Sequence, residues 1–345
     1  MRPGHLRAVT RTIAAAVAVL FAGTIGVSAA SIAGAGATFP APLYQRWIET
    51  FLAKRPQDQI RYEAMGSGEG LQRMVDGKVD FAGSDICLIP AGNAPADFLC
   101  LPTIAAAVVP VVNLPGVSQD LRLTPETLAA IYLGKVQKWN DPMIRSSNHG
   151  VSLPARGIVV MHRSDSSGTS YAWSDYLSKT SEEWKRSVGQ SMEPKWPVGQ
   201  GAEGNDGLAQ SVQNTPGSIG YVELIYAVRH HLAMAMIRNS SGHFVGANLE
   251  TIGVAADNAT AEDGFSAAAP LPSLINAAAE KAYPISTFSW LVLPRHAADA
   301  EKRALLIQFL EWALDSGQKK AAGLGYVAVP DAIVEQERKV LATLQ

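Results

Sequence analysis

The sequence predicts an α/β protein built from two lobes. Short β-like runs alternate along the chain with segments of helical apolar spacing, the pattern of βα units around a largely parallel sheet. At roughly 100 to 200 residues per domain, the 345 residues suggest two lobes. Because 47% of the residues are hydrophobic and only 17% are charged, the chain can bury a large core, and disorder does not describe it as a whole.

The first thirty residues are predicted to be a secretory signal peptide rather than part of the fold. Three arginines, the last of them Arg11, precede an apolar stretch at Ile13–Val27, and small residues follow up to Ala30. A membrane anchor fits less well, since Gly23 and Gly26 interrupt a stretch that is shorter than the ~20 apolar residues of a spanning helix. We therefore expect an exported, periplasmic protein.

The charge balance excludes partners that are bound through net charge. The 29 Lys and Arg face 31 Asp and Glu, which gives a formal charge of −2, and loss of residues 1–30 with their three arginines leaves −5. No nucleic-acid partner is expected for such a chain. Any anion site has to depend on local geometry.

The only two cysteines, Cys87 and Cys100, both lie in the exported part with 12 residues between them. In an oxidising compartment this pair predicts a disulfide, worth ~3 kcal/mol on the loop-entropy account. Two thiols without a nearby histidine pair fall short of the four ligands of zinc, so neither a metal site nor another cofactor is expected.

Helices are predicted where apolar residues recur at helical spacing after a start signal. Prolines precede the first of them, and Gly134 stops the third. The predicted helices begin at Leu43, Leu71, Thr124 and Tyr171, and two more lie at Asp299–Ser316 and Asp331–Leu344.

Strands are predicted where apolar residues alternate or run continuously for a few positions. The continuous run Ile104–Val112 suits a strand that is buried on both faces. The other predicted strands are Ile60–Ala64, Val79–Gly83 and Gly157–Arg163.

Three segments share one plan, in which small hydroxylated or Gly residues lie just before a helix. They are Gly36–Phe39, Gly66–Gly68 and Arg163–Ser170. A helix N-terminus presents unpaired N–H groups and a positive dipole end, and small side chains let an anion approach the backbone. Several such turns would together form an oxyanion cage, although each taken alone also fits an ordinary helix N-cap.

The third segment adds Arg163, whose guanidinium is a forked donor suited to tetrahedral oxyanions. Asp165 follows two residues later and fits a simple surface ion pair with Arg163. We favour a double role, in which Asp165 fixes the guanidinium and thereby aims it at the ligand.

Asp85 is the residue that discriminates between anions. An ionised Asp only accepts hydrogen bonds, so it repels an anion unless that anion still carries a proton to donate. Near neutral pH hydrogen phosphate carries such a proton and sulfate does not, so Asp85 provides a means of rejecting sulfate. A turn or capping role after the preceding strand is an equal alternative on sequence alone.

With these residues the chain resembles the periplasmic phosphate-binding proteins of ABC-type phosphate importers over nearly the whole exported part. The segments that carry the resemblance are Gly34–Pro42, Val79–Phe81 with Ser84 and Asp85, Ile131–Lys135 with Lys138 and Trp139, Ser167–Ser170, Gly204–Gly207 and Gly217–Glu223. Such a series in this order is far more specific than any one motif.

The resemblance implies a type II periplasmic-binding-protein (Venus-flytrap) fold, a two-lobed clamp with hinge strands at Ile104–Val112 and Tyr283–Val292. Residues 31–108 with 288–345 would form lobe 1 and residues 109–287 lobe 2, with phosphate between them. A monomer that delivers inorganic phosphate to the inner-membrane permease subunits of the importer is implied. By matching position, the implied phosphate-binding residues are Thr38, Phe39, Ser67, Asp85, Arg163, Ser167, Gly168 and Thr169, with Asp165 in support.

Two features depart from the family pattern. Glu69 adds negative charge close to the expected site, and we expect its side chain to point to solvent. The loop between Cys87 and Cys100 directly follows Asp85, where a bridge would stiffen the lip of the cleft.

Other classes of function fit less well. A secreted phosphatase needs a base beside its nucleophile. Met65 occupies the position of the first glycine in a nucleophile elbow around Ser67, so that motif is absent. His162 lies next to Arg163 on a strand, so its side chain is expected on the opposite face of the strand. The adjacent His230 and His231 do not share a helix face. Asp85 argues against a sulfate or molybdate receptor, and export alone fits an adhesin equally well.

Overall fold

The computed structural model describes residues 29–88, 97–260, 273–296 and 299–344. The predicted signal peptide, except for its last two residues, and most of the loop between the cysteines lie outside the described residues. The strands are β1 Ser31–Gly36, β2 Gln59–Ala64, β3 Phe81–Ser84, β4 Phe98–Asn113, β5 Arg122–Leu123, β6 Val159–Arg163, β7 Gln200–Ala202, β8 Ser218–Glu223, β9 Ala233–Met234, β10 Met236–Arg238, β11 Phe244–Val245 and β12 Ser286–Pro294.

The helices alternate with these strands, as the sequence predicted. They are α1 Ala41–Leu52, α2 Ser67–Val75, α3 Pro125–Tyr132, α4 Pro142–Arg145, α5 Gly168–Thr180, α6 Glu182–Ser187, α7 Gly204–Asn214, α8 Leu224–Arg229, α9 Leu249–Thr260, α10 Ala300–Trp312 and α11 Asp331–Ala342. A π-helical turn at Ala313–Gly317 extends α10. None of the helices in the described ranges is long and apolar enough to cross a membrane.

Helix α1 begins at Ala41, two residues before the predicted Leu43. Two further helices begin earlier than predicted because the small residues before them are already helical. Helix α2 starts at Ser67 rather than Leu71, after Gly66 turns the chain with φ 105°. Helix α5 starts at Gly168 rather than Tyr171, because the Ser167 hydroxyl caps it by accepting from the backbone N–H of Ser170. As a result, the last residues of the two predicted anion-binding segments, Gly66–Gly68 and Arg163–Ser170, lie in the first turn of a helix.

One large sheet organises the described part of the chain, with the strand order β2-β1-β3-β12-β4-β8-β6-β7 and with β9 also paired to β4. The pairs of β1 with β2 and β3, and of β6 with β7 and β8, are parallel, as predicted. The central pairs of β12 with β3 and β4, and of β4 with β8, are antiparallel. The expectation of a largely parallel sheet is therefore wrong for the centre, where long strands connect two parallel flanks.

Strand β4 connects the two flanks of this sheet. Its residues 98–107 pair with β12, and its residues 108–113 pair with β8. The strand contains the predicted apolar run Ile104–Val112, every residue of which is buried. Flank 1, defined as β1, β2 and β3 with the turns and helices that connect or follow them, therefore lies on one side of β4 and β12. Flank 2, defined as β6, β7 and β8 with the turns and helices that connect them, lies on the other side.

Each flank has its own aromatic packing. In flank 1 the indole N–H of Trp47 donates to the carbonyl of Gly317 over 2.9 Å, which packs the C-terminal helices against α1. In flank 2 the rings of Trp173 and Tyr221 stack with their centroids 5.0 Å apart. Because the Tyr221 hydroxyl accepts from the backbone N–H of Arg163 over 3.1 Å, this core also supports the strand end that carries the predicted anion ligand.

Candidate anion-binding site

The predicted site residues come from turns that follow the carboxyl ends of strands in both flanks. Thr38 and Phe39 follow β1, Ser67 follows β2, Asp85 follows β3, and Ser167 follows β6. Ligands of open α/β sheets bind outside the carboxyl ends of the strands. Side chains and backbone groups from the two flanks contact each other here, so the structure brings these four turns together.

The turn after β1 offers backbone donors at the start of α1. Within the described part of the chain, no acceptor is bonded to the backbone N–H groups of Thr38 or Phe39. No side chain caps α1, whose N-cap is Pro40. Phe39 is fully buried, and its carbonyl accepts from the Tyr326 hydroxyl over 2.8 Å. The free N–H groups and the helix dipole therefore favour negative charge at this position.

Ser67 joins the two flanks. Its hydroxyl oxygen accepts from the backbone N–H of Asp85 at 3.3 Å and from the backbone N–H of Gly168 at 3.1 Å. The side chain is fully buried. Because both lone pairs are occupied, the hydroxyl hydrogen is left to donate.

Arg163 is held by Asp165, as the sequence predicted. The Arg163 Nε donates to Asp165 Oδ1 at 2.6 Å, and a second bond joins Arg163 Nη2 to Asp165 Oδ2. Burial alone would raise the pKa of Asp165, but the hydrogen bonds and charge of Arg163 together with the Gly204 N–H lower it below its usual value. Arg163 is only 3% exposed, and its third nitrogen, Nη1, donates to the Thr169 hydroxyl oxygen at 3.4 Å.

Asp85 is a buried carboxylate in the middle of these donors. Its Oδ1 accepts from the Ser289 hydroxyl at 3.0 Å, and its Oδ2 makes a long contact of 3.5 Å with the Thr169 hydroxyl. Burial raises its pKa to about 7, against the opposing effects of Ser289, Arg163 and Thr169. Asp85 therefore changes its protonation state within the range in which phosphate also does.

The N-terminus of α5 completes the cage. The backbone N–H of Gly168 points at Ser67, and a Cβ at position 168 would lie 2.5 Å from the Ser67 oxygen and 2.7 Å from the Asp85 Cβ. Only glycine fits this close approach. The Thr169 oxygen accepts from Arg163 Nη1 at 3.4 Å, so the turn and the guanidinium share one polar network.

The resemblance did not assign two further residues of this network. Asn205, in the first turn of α7, is fully buried, and its Nδ2 donates to the hydroxyl oxygens of Thr38 at 2.8 Å and Thr169 at 3.2 Å. Ser289 of β12 holds Asp85 and is also fully buried. Asn205 lies in Gly204–Gly207, one of the segments that carry the resemblance, but no role was assigned to it there. The sequence signal for Ser289 was only a hydroxyl within an apolar strand.

The two departures from the family pattern lie at the edge of the site. Glu69 has a side chain that is 53% exposed and pairs with Arg73 over 2.9 Å, so it points to solvent as expected. The predicted disulfide between Cys87 and Cys100 is present, with a Cα–Cα distance of 5.9 Å.

Two of the histidines considered in the sequence, His162 and His230, have other partners within the described residues. His162 stacks on Trp196 with a centroid distance of 4.9 Å, and its Nδ1 lies 3.0 Å from the Arg163 carbonyl oxygen. His230 pairs with Asp206 over 2.9 Å. A search of the described residues finds no group of three or more His, Cys, Asp or Glu side chains placed to hold a metal ion.

A two-flanked α/β fold with a polar site between the flanks is typical of the class of solute-binding proteins. Residues 23–316 match the family model described as the PBP superfamily domain. The phosphate-binding protein PstS of Pasteurella multocida is 39% identical over 322 residues, which cover 93% of this chain and 92% of that protein. PstS of Xylella fastidiosa strain Temecula1 is 40% identical over 306 residues, which cover 88% and 83%.

A solved structure shows the same fold. The high-affinity periplasmic phosphate-binding protein PfluDING, bound with phosphate at pH 8.5, matches with a TM-score of 0.70 and 20% identity, covering 90% of this chain and 93% of that one. The chain belongs to the PBP superfamily and, within it, to the PstS family of phosphate-binding proteins.

Proposed function

We propose that this protein binds inorganic phosphate outside the cytoplasm and delivers it to the inner-membrane permease subunits of an ABC phosphate importer. The observation that carries the proposal is the convergence of donors from both flanks around one buried carboxylate, Asp85. The names of the relatives support the same ligand.

The donors suit a tetrahedral anion bound without water. The proposed ligand groups are the N–H groups and hydroxyl at Thr38 and Phe39, the Ser67 hydroxyl, the Arg163 guanidinium, and the α5 turn at Ser167, Gly168 and Thr169. Arg163 is the only cation among them, and Asp165 fixes its direction. Backbone dipoles and hydroxyls supply the remaining stabilisation, which suits a chain whose net charge is −2.

Asp85 provides the selectivity in this proposal. When it is ionised, its carboxylate accepts the proton of hydrogen phosphate, whereas a sulfate oxygen in the same position would face a buried negative acceptor without a proton between them. The proposed penalty against sulfate is thus an unpaired buried charge rather than a steric clash.

The proposed lobes are residues 31–108 with 288–345 and residues 109–287, which close on the anion as a monomer in the periplasm. Hydrogen bonds between turns of the two flanks support this division. Among them are the bond from the Gly168 N–H to Ser67 and a bond of 3.0 Å from the Gly68 N–H to the Ser166 carbonyl.

A binding role is preferred over hydrolysis. The Ser67 oxygen accepts from two backbone N–H groups, and within the described part of the chain no histidine is hydrogen-bonded to it. General-base activation of a serine requires such a partner.

Titration calorimetry of the exported chain with phosphate tests the proposal. We expect one phosphate per chain and no release of phosphate from a chromogenic phosphomonoester. Absence of phosphate binding would overturn the binding role, and steady hydrolysis of the ester would replace it with an enzyme.

A further inference from the structure

Asn205 lies between two hydroxyl groups that belong to opposite flanks of the site. Its Nδ2 is 2.8 Å from the oxygen of Thr38, which follows β1, and 3.2 Å from the oxygen of Thr169, in α5. The Asn205 side chain is fully buried. A buried amide in this position determines which partner in each of these hydrogen bonds is the donor.

A hydrogen bond to the amide oxygen fixes the orientation of the Asn205 amide. The backbone N–H of Glu223, the last residue of β8, donates to Asn205 Oδ1 at 2.9 Å. A backbone N–H only donates, so the amide atom facing it must be the oxygen. The NH₂ group must therefore face the two threonine hydroxyls.

This orientation occupies the lone pairs of both hydroxyls. The Thr38 oxygen accepts from Asn205 Nδ2 and, at 3.3 Å, from the Asn205 backbone N–H. The Thr169 oxygen accepts from Asn205 Nδ2 and from Arg163 Nη1. A hydroxyl has two lone pairs and one hydrogen, so each threonine is left only with its hydrogen to offer, and the Thr169 hydrogen points towards Asp85 Oδ2 over 3.5 Å.

We infer that Asn205 is a positioning residue that fixes the hydroxyls of Thr38 and Thr169 as donors, so that the proton of the bound anion can only be received by Asp85. The inference rests on the proposed phosphate-binding function and deepens it. It assigns the singly protonated dianion as the preferred ligand, because a second P–OH group would find no acceptor on the two threonines.

The charged side chains around Asn205 come from three elements. Arg163 and Asp165 belong to the end of β6 and the turn after it, Asp85 follows β3, and Glu223 ends β8. Asn205→Ala changes none of these four residues and adds no charge, so a change in the pH dependence of phosphate binding by this variant reports on the loss of the amide.

The test compares phosphate affinity at pH 8 and pH 5.5 in the wild type, Asn205→Ala and Asn205→Asp. Wild-type affinity should be higher at pH 8. Asn205→Ala adds no charge but lets both hydroxyls rotate and accept, so it should weaken binding about tenfold at pH 8 and clearly less at pH 5.5. Asn205→Asp keeps an acceptor for the Glu223 N–H, but its second carboxylate oxygen accepts from both threonine hydroxyls and so draws their hydrogens away from the anion. We therefore expect phosphate affinity to fall about 100-fold at pH 8.

Asn214→Asp is the matched control, because it adds the same charge at the exposed C-terminal end of the same helix. It should bind phosphate like the wild type at both pH values. The double variant Asn205→Ala with Thr38→Val should lose less than the sum of the two single losses, because the amide acts partly through this hydroxyl.

The outcomes separate the two claims. If the wild type binds no phosphate, the proposed function fails. If it binds, but Asn205→Ala keeps wild-type affinity or weakens binding equally at both pH values, the donor-fixing role is overturned and Asn205 only holds the flanks together. Should Asn205→Asp fail to fold, Asn205→Ala alone decides between these outcomes.

Discussion

At the scale of single residues, Asp85 is the least expected feature of an anion site, since it places a buried carboxylate where the ligand is negative. Its burial raises its pKa to about 7, so near neutral pH the protein itself opposes the charged form. In the proposed function, the cost of that charge makes a ligand with its own proton preferable to one without. The proposal therefore assigns to one residue both the ligand selectivity and part of the pH dependence of stability.

We predict that the phosphate-free protein loses stability as pH rises from about 4 to about 7 because of Asp85. In this interval the Asp85 carboxyl ionises in the unfolded chain, at the ordinary Asp pKa, but keeps its proton in the folded chain. The free energy of unfolding therefore falls as pH rises, and it levels off above the pKa of Asp85 in the folded chain. The difference between the folded and unfolded pKa values of Asp85 sets an upper limit of roughly 4 kcal/mol on this loss of unfolding free energy. Urea unfolding of the wild type and of Asp85→Asn at pH 4.5 and at pH 8 measures this loss of unfolding free energy.

The comparison with Asp85→Asn isolates this group. Glu223 and Glu337 are also fully buried, with pKa values raised well above the usual range, first of all by desolvation, and they act in the same direction in both proteins. Relative to the wild type, Asp85→Asn should gain stability at pH 8 but not at pH 4.5. An equal difference at both pH values would contradict the assignment.

At the scale of elements, the site depends on how closely two helix N-termini approach. Helices α2 and α5 meet where the Gly168 N–H donates to Ser67. A Cβ on Gly168 would contact atoms of Ser67 and Asp85 on the other flank at less than 3 Å. This geometry predicts that position 168 controls closure more than it controls the helix.

Gly168→Ala should weaken phosphate binding by about tenfold or more, because overpacking at this contact keeps the turns apart. Gly253→Ala is the control, since it lies within α9 with no atom within 4 Å of its Cβ and replaces glycine with a better helix former. The control should bind like the wild type and unfold at equal or higher temperature. Equal affinity in Gly168→Ala would mean that the turns do not meet in this way when phosphate is bound.

The elements also show what the sequence predicts and what it does not. Apolar spacing and prolines located α1 and α3 closely, because these signals are local. The antiparallel centre of the sheet escaped prediction, since pairing of β4 with β12 joins segments far apart in the chain. Ser289 was missed for the same reason, because its partner Asp85 is 204 residues away in sequence.

The site residues themselves were located by a resemblance, and physical reasoning explained only some of them. Arg163 beside Asp165 was predicted from chemistry, because the two are close in sequence and complementary in charge. Asn205 was not, since its role depends on two hydroxyls brought together by folding.

At the scale of the whole molecule, hydrogen bonds join the turns of the two flanks, and the proposed function makes closure of the flanks part of binding. The turns of flank 1 and flank 2 meet through Ser67 with Gly168 and through Thr38 with Asn205. A ligand that bridges both sets of donors should stabilise the closed arrangement over an open one.

We predict that saturating phosphate lowers the radius of gyration of the exported chain in solution scattering, and that the same concentration of sulfate does not. Gly168→Ala should show a smaller compaction. A radius of gyration that is unchanged by phosphate would contradict closure, even if calorimetry showed binding.

The central claim is that Asp85 allows the site to bind phosphate and excludes sulfate from it. Competition calorimetry at pH 8 tests this claim most directly. We expect large excess sulfate to leave phosphate binding to the wild type unchanged but to compete clearly in Asp85→Asn. Asp80→Asn, which removes a carboxylate bonded instead to the Ala33 N–H and Lys302, should keep wild-type selectivity. Equal affinity of the wild type for both anions, or unchanged selectivity in Asp85→Asn, would contradict the account.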